Sequence, residues 1–321
     1  MFNFDVNKKT ETSQFNTVNV WDALIIGGGP AGLNAALYLK RKGKVVGVIT
    51  KEVGGQLHNT SEVDNYLGIN HTTGKALSDA FLDHINQFDI PVLQDAEVKS
   101  VQKNNQLFEI TLSTGKTYQS KTLLLTTGGK PRQLEIPGEL EYANKGVSYC
   151  TTCDAPFFKD KHVVVAGGGN SAAESVLDLD PFASKLTVVH RSQWRADQIL
   201  LDKHQDIDKL TVHLQTQILE VLGDGNHMTG LRVLDKQSGQ ERTIDAEGLF
   251  IEIGTIPNSS LIAHLVETND NNEVIVNGQQ ETSLAGLYAA GDVTNQPSKQ
   301  IVIAVAEGAK AALAMNQYLN Q

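Results

Sequence analysis

The segment WDALIIGGGPAGLNAALYLKRKGKVVGVIT, residues 21–50, constrains this chain more than any other stretch. An apolar run from Ala23 to Ile26 meets three glycines. An Ala/Leu-rich stretch then continues to about Lys42, and a second apolar run spans Val45 to Ile49. That order predicts strand, tight turn, helix and strand. The spacing Gly27-x-Gly29-x-x-Gly32 falls at the strand-to-helix turn. There the first glycine permits the turn, the second lets backbone approach a pyrophosphate, and the third lets the helix pack closely. The helix N-terminus, with its free N–H groups, favours a phosphate. Pro30 and Ala31 occupy the first helical positions between the glycines. Such a pattern carries weight only in this strand–helix context.

The pattern returns about 140 residues later in KHVVVAGGGNSAAESVLDL. A strand from His162 to Ala166 leads into Gly167-x-Gly169-x-x-Ala172. Asn170 and Ser171 open an Ala-rich helix, and the strand KLTVVHR follows. Two such units in one chain form a pseudo-repeat and predict two dinucleotide sites. LLLTTGGKPR (Leu123 to Arg132) and LFIEIGTIPN (Leu249 to Asn258) are each a buried strand followed by glycine and proline, the expected crossing points between two domains. VKSVQKNNQLFEITLSTGKTYQS predicts antiparallel hairpins. GLYAAGDVTNQPSKQIVIAVAEGAKAALAMNQYL predicts a strand, a Gly-Asp turn and a long amphipathic helix.

A chain of 321 residues is long for one core, so two domains are expected. The net charge of −10 and the lack of a Lys/Arg run argue against nucleic acid and anionic membrane as partners. Residues 1–20 are polar and read as a flexible lead-in with no secretory signal. Nothing in the sequence is apolar enough to span a membrane, and a cytoplasmic location is expected.

Both cysteines lie in CTTCD, Cys150 and Cys153, followed by Asp154. A zinc site would need two more ligands, and the nine histidines show no paired spacing. No metal is therefore expected. A structural staple closing so short a loop constrains little. A redox-active dithiol is the better reading. At the start of a helical turn its thiol pKa is lowered, and only the thiolate attacks. Asp154 either handles the proton of a departing sulfur or caps the next turn.

The motifs GGGPAG, GGQL (Gly54 to Leu57), EVDNYLG (Glu62 to Gly68), TTGGKPR, IPGE (Ile136 to Glu139), CTTCD, GGGNSAAES, IGTIPN and AAGD occur in the order found in low-molecular-weight thioredoxin reductases. The chain resembles that family over about residues 20 to 320. RADQIL, EIGTIPN, KQIVIA and GAKAAL look closer still to the flavoprotein half of bacterial alkyl hydroperoxide reductase, which carries further N-terminal dithiol domains not seen in this sequence. The resemblance implies an α/β chain with two Rossmann-like, three-layer ββα domains. An FAD domain of residues 21–130 and 256–321 would hold an inserted NAD(P)H domain, residues 131–255, that carries the CxxC.

The resemblance also implies an enzyme, a homodimer, with electrons passing from NAD(P)H to FAD, to Cys150–Cys153, and to a thioredoxin- or glutaredoxin-like disulfide. By position, Cys153 would face the flavin and Cys150 would attack the partner. The FAD contacts would include the first glycine turn and Gly55, Gln56, Leu57, Asn65, Thr127 and Gly128. Towards the C-terminus they would include Gly291, Asp292, Lys299, Gln300 and Ile301. Asp292 would accept from ribityl hydroxyls, and the helix starting near Lys299 would favour the reduced flavin. Lys51 and Glu52, after the second strand, are candidates for the adenosine ribose or plain loop charges.

The second glycine turn, with His190, Arg191, Arg195 and Gly254, would hold the nicotinamide nucleotide. Basic residues after the second strand of such a unit favour NADPH over NADH. The thioredoxin reductase pattern has two consecutive arginines there, and this chain keeps one plus the later Arg195. NADPH is expected, with NADH the alternative. An NADH-linked reductase feeding a peroxiredoxin through a separate dithiol protein is the nearest competing reading. A ferredoxin-linked enzyme and a flavin redox sensor are the others.

Overall fold

The computed structural model describes residues 15–60 and 62–321. The chain divides into two compact units, one of Met1–Lys130 with Ile256–Gln321 and one of Pro131–Thr255.

The first segment contains strands β1 (Trp21–Gly28), β2 (Val46–Val53), β3 (Val92–Leu93), β4 (Val98–Asn104), β5 (Leu107–Leu112), β6 (Thr117–Leu125) and β7 (Gly129–Pro131). Its helices are α1 (Pro30–Arg41) and α2 (Gly74–Asn86). The sheet runs β3-β2-β1-β6-β5-β4. Strands β1, β2, β3 and β6 pair in parallel, and β4, β5 and the start of β6 form the expected antiparallel meander. Successive residues of β1 point to opposite faces. Ala23 and Ile25 join the core under α1, while Leu24 and Ile26 join the core on the other face. Burial on both faces explains why such strands read as continuous apolar runs instead of alternating ones.

The second unit contains β8 (Val147–Ser148), β9 (His162–Ala166), β10 (Lys185–Val189), β11 (Leu210–His213), β12 (Thr216–Gly223), β13 (Met228–Asp235), β14 (Glu241–Asp245) and β15 (Gly248–Ile251). Its helices are α3 (Thr151–Asp154), α4 (Asn170–Leu179) and α5 (Gln198–Lys203). A parallel sheet, β11-β10-β9-β15-β8, lies between two cores. Val163 and Val165 pack with Val176 and Leu179 of α4, whereas Val164 and Ala166 pack with Ile218, Val221 and Leu231 of the three-stranded antiparallel layer β12-β13-β14.

The last segment adds β16 (Thr255–Pro257), β17 (Leu287–Ala289) and α6 (Ile301–Leu319). Strand β17 joins the C-terminal half of β6 in parallel, and both unit boundaries fall within β7 and β16, which pair with each other. The architecture is mixed α/β with two Rossmann-like units. Among the described residues no helix is long and apolar enough to cross a membrane.

Two sequence expectations change. The lead-in ends earlier than residue 20, because Phe15 is 1% exposed and stacks against Trp21 and Tyr118, with ring centroids 4.7 and 5.4 Å away. Residues 1–14 of that lead-in lie outside the described residues. Strand β2 runs on to Val53 instead of ending at Ile49, since Val53 pairs with Gly28 and the Gly54 N–H donates to the Gly28 carbonyl at 2.9 Å. Lys51 and Glu52 are thus strand residues.

Candidate functional site

The first glycine turn is built by exclusion. Gly27 has φ +116°, and a Cβ there would overlap the Thr126 carbonyl. A Cβ at Gly32 would overlap the Gly27 carbonyl, whereas Gly29 has open space in front of it. Gly29 is the extended N-cap of α1, Pro30 is its first residue, and Ala31 is buried against Gly308 of α6. Two threonines that the glycine pattern does not reveal complete the turn. Thr126 Oγ1 donates to the Gly27 carbonyl at 2.9 Å, and Thr50 Oγ1 accepts the Gly28 N–H at 3.0 Å.

Other expected FAD residues of this unit gather by hydrogen bonding across long sequence separations. Asn65 Nδ2 donates to Gln300 Oε1 at 3.2 Å, and the Gln56 side chain donates to the Gly129 carbonyl. Gly55 opens a short 3-10 turn with φ +57°, and Leu57 packs in a small core that Ile301 flanks. Thr127 Oγ1 donates to the Asn258 carbonyl at 2.7 Å, and the Asn258 N–H donates to Gly128 at 2.9 Å. Lys299 Nζ donates to the Thr294 carbonyl and pairs with Glu273 at 3.3 Å. Lys51 is ion-paired with Glu97 at 2.6 Å, and Glu52 lies 3.5 Å from His58, both pairs on the exposed side.

Asp292 makes no hydrogen bond with the described residues, yet burial raises its pKa against the opposing pull of Lys299. A carboxyl of this kind fits the hydroxyls of a ribityl chain, and the open glycine cradle beneath α1 fits a pyrophosphate. The residues present therefore fit FAD. Near Asp292 sits an acid the motifs did not single out. Glu307, 5% exposed, accepts the Gly291 N–H at 2.7 Å, and its pKa is raised by burial and by Asp292, against Gly291 and Lys299. Gly308 alone marks this place in the sequence. A Cβ there would overlap the Ala31 carbonyl, so it lets α6 touch α1.

In the second unit Gly169 is the N-cap of α4, with open space before it, and Ala172 is fully buried against Gly167. A Cβ at Gly168 would overlap the His190 ring. His190 is 5% exposed, contacts Ser192 Oγ at 3.0 Å, and has its pKa lowered by burial and by Arg195 and Arg191. It is thus a neutral floor for the turn. The loop after β10 folds over the helix start. The Arg195 N–H donates to the Gly168 carbonyl at 2.7 Å, and Asn170 exchanges two 2.8 Å hydrogen bonds with Asp197. Ser171, Arg191 and Arg195 are exposed, and neither guanidinium is ion-paired among the described residues. Gly254 has φ +96° and accepts the Arg132 N–H at 2.9 Å, which brings Arg132, not foreseen, beside it.

Cys150 and Cys153 are joined as a disulfide, with Cys150 the N-cap of α3. Ser148 Oγ accepts the Cys150 N–H at 3.1 Å and donates to Asp154 Oδ2 at 2.6 Å. Asp154 makes no side-chain cap on the following turn, which removes the capping explanation. Tyr149 OH donates to Glu139 Oε1 at 2.9 Å, and burial and Glu139 raise its pKa. Glu139, only 1% exposed, also accepts the N–H groups of Leu134, Glu135 and Ile136. Thr151 lies within 2.8 Å of both Glu252 Oε1 and Ser175 Oγ. Each of Ser148, Tyr149 and Thr151 is therefore tied to a different carboxyl group.

The sequence profile of pyridine nucleotide-disulphide oxidoreductases matches residues 21–308. An alkyl hydroperoxide reductase polypeptide of Pseudomonas putida is 39% identical over 312 residues, covering 96% of this chain and 60% of that protein. Its counterpart from Staphylococcus aureus strain MRSA252 is 36% identical over 310 residues, covering 96% and 61%. The chain thus spans about three-fifths of the length of these relatives. The thioredoxin reductase from Streptococcus pyogenes superposes with a TM-score of 0.88 at 34% identity, covering 94% of this chain and 99% of that one. That from Giardia duodenalis gives 0.88 at 30%, covering 95% and 100%. Such relatives use FAD and NAD(P)H. Two glycine turns of this build, a CxxC disulfide and these matches agree: the chain belongs to the pyridine nucleotide-disulphide oxidoreductase family.

Proposed function

We propose that this chain is an FAD-dependent, NADPH-linked protein-disulfide reductase acting on a thioredoxin- or glutaredoxin-like partner. The observation that carries the reading is the Cys150–Cys153 disulfide at the start of a helix, with the Asp154 carboxyl held beside it through Ser148. FAD, held by the first glycine turn and Asp292, would supply the electron pair that opens this disulfide.

The protein side of the chemistry follows from the residues. The Cys150 thiolate attacks one sulfur of the partner's disulfide, forming a mixed disulfide and releasing one partner thiolate. The Cys153 thiolate then attacks Cys150 Sγ, re-forming the internal disulfide and releasing the second partner sulfur. The partner gains two electrons and two protons, and Asp154 would hold one of those protons. Arg191 and Arg195, exposed and without an ion pair among the described residues, support a 2′-phosphate and hence NADPH. The cysteine usage suits a reducing compartment such as the cytoplasm, and by family resemblance we propose a homodimer.

A second reading has support from the alkyl hydroperoxide reductase relatives: an NADH-linked reductase that passes electrons to a peroxiredoxin through a separate dithiol protein. Anaerobic mixing with NADPH and with NADH, following the oxidised flavin band, separates the two. Rapid bleaching by NADPH alone supports the first reading, and bleaching by NADH alone supports the second. Bleaching by neither would point to a ferredoxin donor. A disulfide that stays closed after the flavin is reduced would point to a sensor.

A further inference from the structure

We propose that Glu252 is a positioning residue for the dithiol: through Thr151 its carboxyl holds the first turn of the CxxC helix, and its protonation sets the pH at which the Cys150 thiolate forms. The inference deepens the disulfide-reductase reading and rests on it.

Glu252 follows β15 directly, and its N–H donates to the Ala166 carbonyl at 2.8 Å at the end of β9. Its place is thereby fixed by the central strands. From there Oε1 receives the Thr151 hydroxyl at 2.8 Å, and Ser175 of α4 lies 2.8 Å from the same hydroxyl. A hydroxyl has one proton, so Thr151 donates to only one of these two partners at a time, and the Ser175 hydroxyl also reaches the Glu252 carboxyl. Thr151 directly follows Cys150 and is the first residue of α3, so the carboxyl grips the motif at the point where the reactive sulfur leaves the backbone.

The charges around that point decide the consequence. Asp154 reaches Cys150 through Ser148, Glu139 reaches Tyr149, and Asp178 on α4 acts on Glu252 itself. The residues on either side of Cys150 are thus each hydrogen-bonded to an acid, Tyr149 to Glu139 and Thr151 to Glu252. Burial disfavours the ionised form of Glu252 and raises its pKa, with Asp178 adding to the rise. The Thr151 and Ser175 hydroxyls and the Thr151 N–H oppose it. While Glu252 keeps its proton it adds no repulsion. Once ionised, it places another negative charge beside the helix and makes the Cys150 thiolate harder to form. The two ionisations are coupled, so neither follows a single titration curve.

The test uses FAD-loaded protein whose disulfide has been opened by a phosphine reductant, without nicotinamide or protein partner. The rate of Cys150 alkylation by iodoacetamide is read peptide by peptide between about pH 5 and about pH 10, a range that brackets carboxyl and thiol ionisation. The parent protein should give a profile with two steps. Glu252→Gln should give one step with a lower midpoint, and alkylation about threefold faster near neutrality, the effect of roughly half a pKa unit. Thr151→Val removes a hydrogen bond that favours ionised Glu252, so the lower step should move to higher pH. Superimposable profiles for parent and Glu252→Gln would overturn the proposal. If Glu252→Gln does not fold, an unmoved lower step in Thr151→Val would overturn it. These readouts are independent of nucleotide. A negative result leaves the reductase reading standing, and that reading fails instead if neither nicotinamide nucleotide bleaches the flavin.

Discussion

The Ser148 hydroxyl donates to Asp154 at 2.6 Å while accepting the Cys150 N–H at 3.1 Å, so one side chain joins a cysteine to its acid across the whole CxxCD motif. Ser148→Ala should leave flavin bleaching by nucleotide unchanged and slow protein-disulfide reduction by about tenfold. Asp154→Asn should slow it by about a hundredfold, within the usual range for a proton-transfer group. Stopped-flow bleaching and steady-state turnover, measured on the same preparations, check both.

The two cysteines should separate by assay. Cys150→Ser should bleach normally with nucleotide but give no turnover with a protein disulfide. Cys153→Ser should instead trap a stable mixed disulfide with the partner through Cys150, visible by mass spectrometry. Trapping by the opposite variant would reverse the assigned roles.

Arg191 and Arg195 should carry the preference between nucleotides. Replacing both with Ala should weaken NADPH by about tenfold to a hundredfold, the worth of charge-assisted hydrogen bonds, and leave NADH nearly unchanged. The ratio of kcat/KM for the two nucleotides reads this directly. Equal loss for both would mean that the arginines serve only the shape of the loop.

Gly308→Ala tests the helix contact that the first turn needs. The added methyl would overlap the Ala31 carbonyl, so α6 must move off α1. We expect a loss of about 1–3 kcal/mol from overpacking and weaker FAD retention on gel filtration. Gly43→Ala is unsuited as a control because its φ of +77° strains any side chain, whereas Gly278 has open space around it and should tolerate alanine.

Glu307 gives a pH dependence whose sign can be worked out. Its folded pKa is raised above the ordinary value of 4.5, so the folded state binds more protons than the unfolded state above that pH. Its contribution to stability is complete below about pH 4.5 and is lost as pH rises through the folded pKa. Glu307→Gln cannot ionise, and its amide oxygen can still accept the Gly291 N–H. Its Tm relative to the parent should therefore rise between pH 4.5 and neutrality. A constant difference across that window would show that Glu307 does not titrate there.

Much of the architecture was legible because its signals are local. A glycine turn must lie between its own strand and helix, so Gly27, Gly29 and Gly32, and again Gly167, Gly169 and Ala172, could be placed from spacing alone. Apolar runs such as Leu123–Leu125 mark strands buried on both faces, and CxxC names its own chemistry. Strand ends were less legible. Pairing of Val53 with Gly28 extends β2 beyond its apolar run, and no local feature announces that partner.

The sequence by itself thus determined two dinucleotide units, the dithiol and the family they belong to. Only the tertiary structure decided which acids meet the dithiol and the flavin-side turn. Thr151 and Glu252 lie 101 residues apart, and Gly291 meets Glu307 one helix away. His190 likewise became a buried, neutral floor for its turn. A carboxyl or imidazole has the same composition wherever it stands, and its proton affinity is set by burial and by neighbours that the folded chain alone brings within hydrogen-bond reach.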